Sequence, residues 1–267
     1  MSRSDADGRV LTEQVDRVLV ITLDRPARRN SMTTVMAADL NAALDRLDTD
    51  PDLRAGVLTG SGGYFCAGQD LGEALRGEFA RTVDRGWFGL VDRPPNKPLI
   101  AAIEGFALAG GLEIALSCDL IVAASDASFG IPEVRNGQVA AARGLTRLPL
   151  RLPYHVAAEM ALTGDPVPAD LMHRHGLLTR LVAPGEALET ALKLARRIAQ
   201  NPPVAMRVTL DSIRDAVASV ESIAWARQSS ALSVYAMAGA PEYQEGVSAF
   251  LEKRLPNWAD PTPSGGV

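Results

Sequence analysis

Sulfur and imidazole are scarce in this chain: its 267 residues hold two cysteines and three histidines. Cys66 and Cys118 each lie inside an apolar stretch, and together with His155, His173 and His175 they are too few for a disulfide framework or a Cys/His zinc site. Both cysteines read as small buried hydrophobes, and no metal site is expected. A basic block is also lacking. Lys and Arg number 27 against 32 Asp and Glu, a formal net charge of −5, which speaks against nucleic acid as a partner. No uncharged apolar run approaches the roughly 18–20 residues of a membrane helix, because Glu104, Glu113 and Asp119 interrupt the most apolar region. The opening MSRSDADG has no apolar core of a secretory signal. The closing PTPSGGV carries no peroxisomal tripeptide and reads as a disordered tail. A cytoplasmic protein is therefore expected. With 47% hydrophobic and 22% charged residues, the chain has enough apolar material for one large domain or two small ones.

The first two-thirds alternates strand and helix signals. Arg17–Leu23 (RVLVITL) is rich in β-branched residues and ends at Asp24-Arg25-Pro26, a strand and a turn. Ser31 precedes a helical stretch through Met36, Leu40, Ala43 and Leu47. Arg54–Thr59, Leu99–Ile103 and Leu120–Ala124 are short strands, the last two apolar throughout and thus of the kind covered on both faces. From Pro153 onward the spacing predicts helices over Pro153–Leu162, Pro168–Gly176, Gly185–Gln200, Pro203–Ala218, Val220–Ala238 and Pro241–Lys253, with one strand-like run at Leu178–Val182.

Four features between residues 60 and 145 carry the chemistry. In Phe65-Cys66-Ala67-Gly68-Gln69-Asp70-Leu71, a small residue and a glycine after a strand let backbone approach a ligand closely, or simply make a tight turn. In Gly105–Glu113 (GFALAGGLE), a helix beginning near Gly110 offers unpaired N–H groups to a negatively charged oxygen, and Glu113 lies about one turn on. The plainer reading of Glu113 is a first-turn cap. In Ser128–Glu133 (SFGIPE), Pro132 holds the backbone and Glu133 sits among apolar residues, which raises a carboxyl pKa as a general acid requires. An exposed capping glutamate is the alternative. The fourth feature is the small-residue stretch Gly137–Gly144 (GQVAAARG).

Taken together, Asp24-Arg25-Pro26 with Asn30, then FCAGQDL, GFALAGGLEIALSCD, FGIPEV and the terminal Phe250-Leu251-Glu252-Lys253-Arg254 resemble the enoyl-CoA hydratase/isomerase (crotonase) superfamily over roughly residues 10–258. The resemblance implies an α/β crotonase (ClpP-like) fold, a β-β-α superhelix with a helical C-terminal trimerisation region. That places a core domain over 10–200, a trimerisation segment over 201–258 and a disordered tail over 259–267. It implies an acyl-CoA substrate, no cofactor beyond the coenzyme A the substrate carries, and a homotrimer or homohexamer. The thioester oxygen would lie in an oxyanion hole made by the N–H groups of Ala67 and Gly110, with Glu113 and Glu133 as the catalytic pair. Arg25, Arg28, Gly68, Gln69, Asp70 and Lys253 would help hold the CoA, Lys253 from a neighbouring subunit, while Phe79, Trp87 and Phe88 line the acyl pocket or belong to the core. Where many hydratases carry Pro-Gly and Gly-Gly pairs, this chain has Ala140-Ala141 and Arg143-Gly144, so that methyl groups and a long cation would narrow the pocket or shift the water. Hydration of an enoyl-CoA is the leading expectation. A Δ3-Δ2-enoyl-CoA isomerase, another crotonase-type acyl-CoA lyase, and a non-catalytic acyl-CoA-binding or RNA-binding member are the alternatives.

Overall fold

The computed structural model of the protein describes residues 8–235 and 241–258. The tail 259–267 lies outside the described residues. The chain opens with two strands, β1 (Arg9–Val15) and β2 (Val18–Asp24), and helix α1 (Thr34–Thr49). Next come β3 (Ala55–Gly60), α2 (Leu71–Leu75) and the two-residue strands β4 (Arg81–Thr82) and β5 (Gly86–Trp87). Strands β6 (Leu99–Ile103) and β7 (Phe106–Leu108), helix α3 (Gly110–Ala115), β8 (Leu120–Ala124) and β9 (Ser128–Gly130) follow. The remainder comprises α4 (Gly144–Arg151), α5 (Tyr154–Thr163), β10 (Val167–Pro168), α6 (Ala169–Arg174), β11 (Arg180–Val182), α7 (Ala187–Ala199), α8 (Pro203–Tyr235) and α9 (Pro241–Glu252).

Six strands form one sheet in the order β1-β2-β3-β6-β8-β11. Only the β1–β2 hairpin is antiparallel; β2–β3, β3–β6, β6–β8 and β8–β11 are parallel. Register follows the pleat. Val57 pairs with Val20 and Ile100, and Ala101 with Leu58 and Ile121, so like-facing residues stack across the sheet. Leu19, Ile21, Leu58, Ala101, Ile103 and Ile121 face a core that Met36, Leu40 and Leu47 of α1 complete. The alternate residues Val18, Val20, Val57, Ile100 and Val122 face a second core closed by Ala187, Ala191, Leu192 and Ala195 of α7. Burying a Leu, Ile or Val fully contributes about 1.5–3 kcal/mol, and coverage of both faces explains why these strands read as apolar throughout. A second, three-stranded sheet, β10-β9-β7, stands beside the first.

Three expectations are corrected. A strand at Arg9–Val15 precedes the first one expected; it is an edge strand with most side chains exposed, which removed the apolar signal. Helix α1 starts at Thr34, not after Ser31, because the Thr33 hydroxyl accepts the Met36 N–H at 3.1 Å and caps it. The helices expected at Pro203–Ala218 and Val220–Ala238 are continuous through Ser219 in α8, since neither Gly nor Pro interrupts Val204–Tyr235. Among the described residues, no helix is long and apolar enough to cross a membrane.

Candidate active site

The site sits where two loops and two short helical pieces meet beyond the strand ends. The first loop leaves β3 and runs through Phe65–Asp70. Cys66 is zipped to β7, receiving Leu108 N–H at 3.1 Å on its carbonyl, and its thiol is bonded to the Asn30 carbonyl at 3.1 Å. Burial pushes that thiol up to about 12, so it stays protonated and structural. On the other side, Met32 pairs with the loop: its N–H reaches the Gly68 carbonyl at 2.7 Å, and the Asp70 N–H reaches the Met32 carbonyl at 2.9 Å.

This pairing decides which amides are free. The Ala67 N–H donates to the Arg29 carbonyl at 3.1 Å and is spent within the fold, which contradicts its assignment as an oxyanion donor. Gln69 is the bridge residue whose neighbours make the bonds to Met32, and its own N–H has no acceptor among the described residues. The Gln69 side chain is tied down, accepting the Ala80 N–H at 3.0 Å. Gly68, at φ +96°, is required: a β-carbon there would stand 2.9 Å from the Gly110 nitrogen. That contact also brings the two loops together.

The second loop leaves β7 at Ala109, whose φ of +52° is rare for a residue with a side chain. The Ala109 carbonyl takes the N–H groups of Leu112 (2.9 Å) and Glu113 (3.2 Å), leaving those of Gly110 and Gly111 without an acceptor among the described residues. Helix α3 has six residues, so it offers these two N–H groups more than a macrodipole. The Phe88 ring lies directly against Gly110, where a β-carbon would meet its Cζ at 2.3 Å. Phe88 is buried, whereas Phe79 and Trp87 are half-buried; the Trp87 ring meets Phe79 edge-on at 5.9 Å and lies tilted against Phe88 at 5.8 Å between centroids. Phe88 thus forms the wall at the amides.

Glu113 is 2% exposed and Glu133 8% exposed. One oxygen of Glu113, Oε1, accepts the N–H groups of Ala142 (2.8 Å) and Gly144 (2.9 Å). Gly144 has no spare room, because a β-carbon would stand 2.9 Å from that same oxygen. Burial pushes the Glu113 carboxyl up to about 7, opposed by the two amides and by the Arg147 cation. Glu133 sits on the 3-10 turn Pro132–Asn136, and its Oε2 is buried without a partner among the described residues. Burial first, and the charge of Glu113 second, hold Glu133 well above the usual carboxylate range. Two buried carboxyls this close do not both ionise easily. Of the two, Glu113, with two donors and a cation nearby, ionises more readily, and Glu133 holds its proton to higher pH.

Arg147, which has no signal in the sequence, is 6% exposed and donates to Glu221 (2.9 Å), Ser117 Oγ (2.5 Å) and the Val91 carbonyl (2.9 Å). Arg143 does not fill the pocket as expected. Its guanidinium turns to Asp92 (2.8 Å) and Glu221 (3.3 Å) and lies 4.9 Å over the Trp225 ring. Ala140 is buried and adds only its methyl group.

Of the residues expected at the CoA, Arg25 and Asp70 pair with each other at 2.6 Å, and Arg25 also donates to Ser31 Oγ at 2.9 Å. Asp70 in turn caps α2 through the Glu73 N–H at 2.9 Å. Both side chains therefore brace the first loop. Arg28 and Lys253 are exposed; Lys253 follows α9, which rests on the turn carrying Glu133, with Gly246 against the Asn136 carbonyl. Among the described residues, no group of three or more His, Cys, Asp or Glu is placed to hold a metal ion.

An α/β superhelix with paired buried glutamates, beside loop amides that have no acceptor among the described residues, defines an enzyme of the crotonase class. The chain belongs to the enoyl-CoA hydratase/isomerase family, whose profile matches residues 13–261. It is 38% identical over 260 residues to mevalonyl-coenzyme A hydratase of Aspergillus fumigatus, covering 94% of each chain. Among solved structures, it resembles an enoyl-CoA hydratase from Mycobacterium tuberculosis H37Rv at 47% identity and TM-score 0.76, covering 94% of this chain and 98% of that one. It also resembles carnitinyl-CoA hydratase from Mycobacterium avium at 37% identity and TM-score 0.86, covering 93% and 97%.

Proposed function

We propose that this protein adds water across the α,β double bond of an enoyl-CoA thioester, and removes it in reverse. The observation that carries this reading is the glutamate pair: one buried carboxyl is anchored by two N–H groups, and the other presents an orphan oxygen. Glu113, as the base, takes a proton from water while the water oxygen bonds to Cβ. The π electrons move onto the thioester oxygen as an enolate, and Glu133 delivers its proton to Cα. Glu113 then holds the proton and Glu133 the charge, and exchange with solvent resets the pair.

The enolate oxygen is held by the N–H groups of Gln69 and Gly110, Gln69 replacing Ala67 in that role. The absence of any acceptor for either N–H among the described residues supports this, as does the contact of Gly68 with Gly110. A donor aimed at developing oxyanion charge contributes about 3–4 kcal/mol in the transition state. The reaction needs only water addition at Cβ and proton transfers, with no net oxidation or reduction, so coenzyme A enters as part of the substrate and no further cofactor is called for. Arg28 and Lys253, both exposed cations, are the residues to meet its phosphates. The family relationship to hydratases of several acyl-CoA thioesters supports the reaction class.

The assembly is a homotrimer or homohexamer in this reading. Val204, Val208, Ile213 and Ile223 of α8 are each more than half exposed, an apolar load that a subunit contact would cover. Two buried, unpaired thiols suit a reducing, cytoplasmic setting. The test follows the loss of conjugated enoyl-thioester absorbance over short to long acyl chains. Turnover should vanish in both Glu113→Gln and Glu133→Gln. Survival of Glu113→Gln would point instead to double-bond isomerisation, which needs no activated water. Thioester binding without turnover on any chain length would defeat the proposal.

A further inference from the structure

Helix α8 lies remote in sequence from the glutamates, yet one stripe of it grips the segment that holds Glu113. Glu221, Trp225 and Gln228 are spaced four and three residues apart and share a face. Gln228 Nε2 donates to the Ala140 carbonyl at 2.6 Å, Trp225 underlies the Arg143 guanidinium at 4.9 Å, and Glu221 binds both Arg143 (3.3 Å) and Arg147 (2.9 Å). Between those grips lie Ala142 and Gly144, whose N–H groups hold Glu113 Oε1 at 2.8 and 2.9 Å. Arg143 adopts φ +69°, a conformation that side-chain-bearing residues rarely take. Its side chain is anchored on Asp92, Glu221 and Trp225, and this fixes the turn at which the two donors converge.

We propose that Arg143 and Gln228 are positioning residues, and that the Glu221–Trp225–Gln228 stripe of α8 acts as a clamp fixing segment 140–147 so that its amides hold the Glu113 carboxylate in place. The inference rests on Glu113 being the base proposed above, but its test does not need turnover. The charged groups around Glu113 are Glu133 from the 3-10 turn and Arg147 from α4. Asp92 and Glu221 face Arg143. Two variants leave net charge unchanged. Arg143→Lys keeps the cation but cannot fork between two carboxylates and stack on the indole. Gln228→Ala removes only the neutral bond to Ala140.

The measurement is carboxyl-carbon NMR of the full-length protein labelled at glutamate Cδ, with the Glu113 signal assigned by its absence in Glu113→Gln. Loosened amides lower the Glu113 carboxyl less, so both variants should raise its midpoint by about half a pH unit or more. If the enzyme turns over enoyl-CoA, kcat at pH 7 should fall about threefold or more, with KM within about twofold. A purely structural contact would lower the melting temperature and leave the Glu113 midpoint where it is. A midpoint at the wild-type value in either variant overturns the clamp. Absence of wild-type turnover with shifted midpoints would sink the hydratase reading and leave the clamp standing.

Discussion

Substituting Gly144 by alanine isolates the contribution of the Glu113 anchor. The added methyl carbon would stand 2.9 Å from both Cγ and Oε1 of Glu113 and 3.1 Å from Ile131 Cδ1. Backbone strain is not at issue, because Gly144 does not lie in the left-handed region, and alanine at the start of α4 favours the helix by up to about 1 kcal/mol. The fold should persist, with a melting temperature lowered modestly, because crowding in this buried site and the hydrogen bond lost at Glu113 outweigh the helix gain. The carboxylate has to move, and the hydrogen bond it loses, from an N–H to a charged oxygen, is worth about 1.5–3 kcal/mol. Displacement of a reacting group by about 1 Å costs on the order of a hundredfold in rate. With one amide lost, burial acts on Glu113 with less opposition, and its midpoint moves up from about 7. Hydration followed by absorbance across pH should show kcat down between tenfold and a hundredfold, on the order expected for such a displacement, with the acid limb shifted to higher pH. A Gly144→Ala enzyme with the parental kcat and acid limb would refute the assignment of those amides as the anchor of the base.

Two further outcomes follow from the same groups. The folded-state pKa of Glu113 lies above its ordinary 4.5, at about 7, so the native state binds more protons than the unfolded chain between those values, and stability falls as pH rises through that window. Glu113→Gln removes the burial cost while keeping an acceptor for Ala142 and Gly144, and should stabilise the fold and raise the melting temperature at pH 8, with little gain at pH 4; an equal gain at both pH values would disprove the linkage. Arg25→Ala releases Asp70 and Ser31, partners at 2.6 and 2.9 Å. It should cost about 1–3 kcal/mol in urea unfolding and raise thioester KM more than it lowers kcat. A kcat effect alone would mean that Arg25 does not brace the first loop.

Local order in the chain determined the central strands and the two acids. Leu99–Ile103 and Leu120–Ala124 are legible to the residue because strands covered on both faces must be apolar throughout and end where polarity begins. Glu113 and Glu133 stand out as carboxylates in otherwise apolar, glycine-rich surroundings. Tertiary structure alone decided which amides are free. Ala67 and Gln69 are equivalent as sequence, but Arg29 and Met32, more than thirty positions earlier, pair with the loop so that the first amide is consumed and the second is left open. The long cation at 143 looked like a pocket residue because its partners, Asp92 and Glu221, lie 51 and 78 positions away. Hydrophobic periodicity reports burial along one element, whereas the availability of an N–H or the direction of a guanidinium depends on what another part of the chain brings to it.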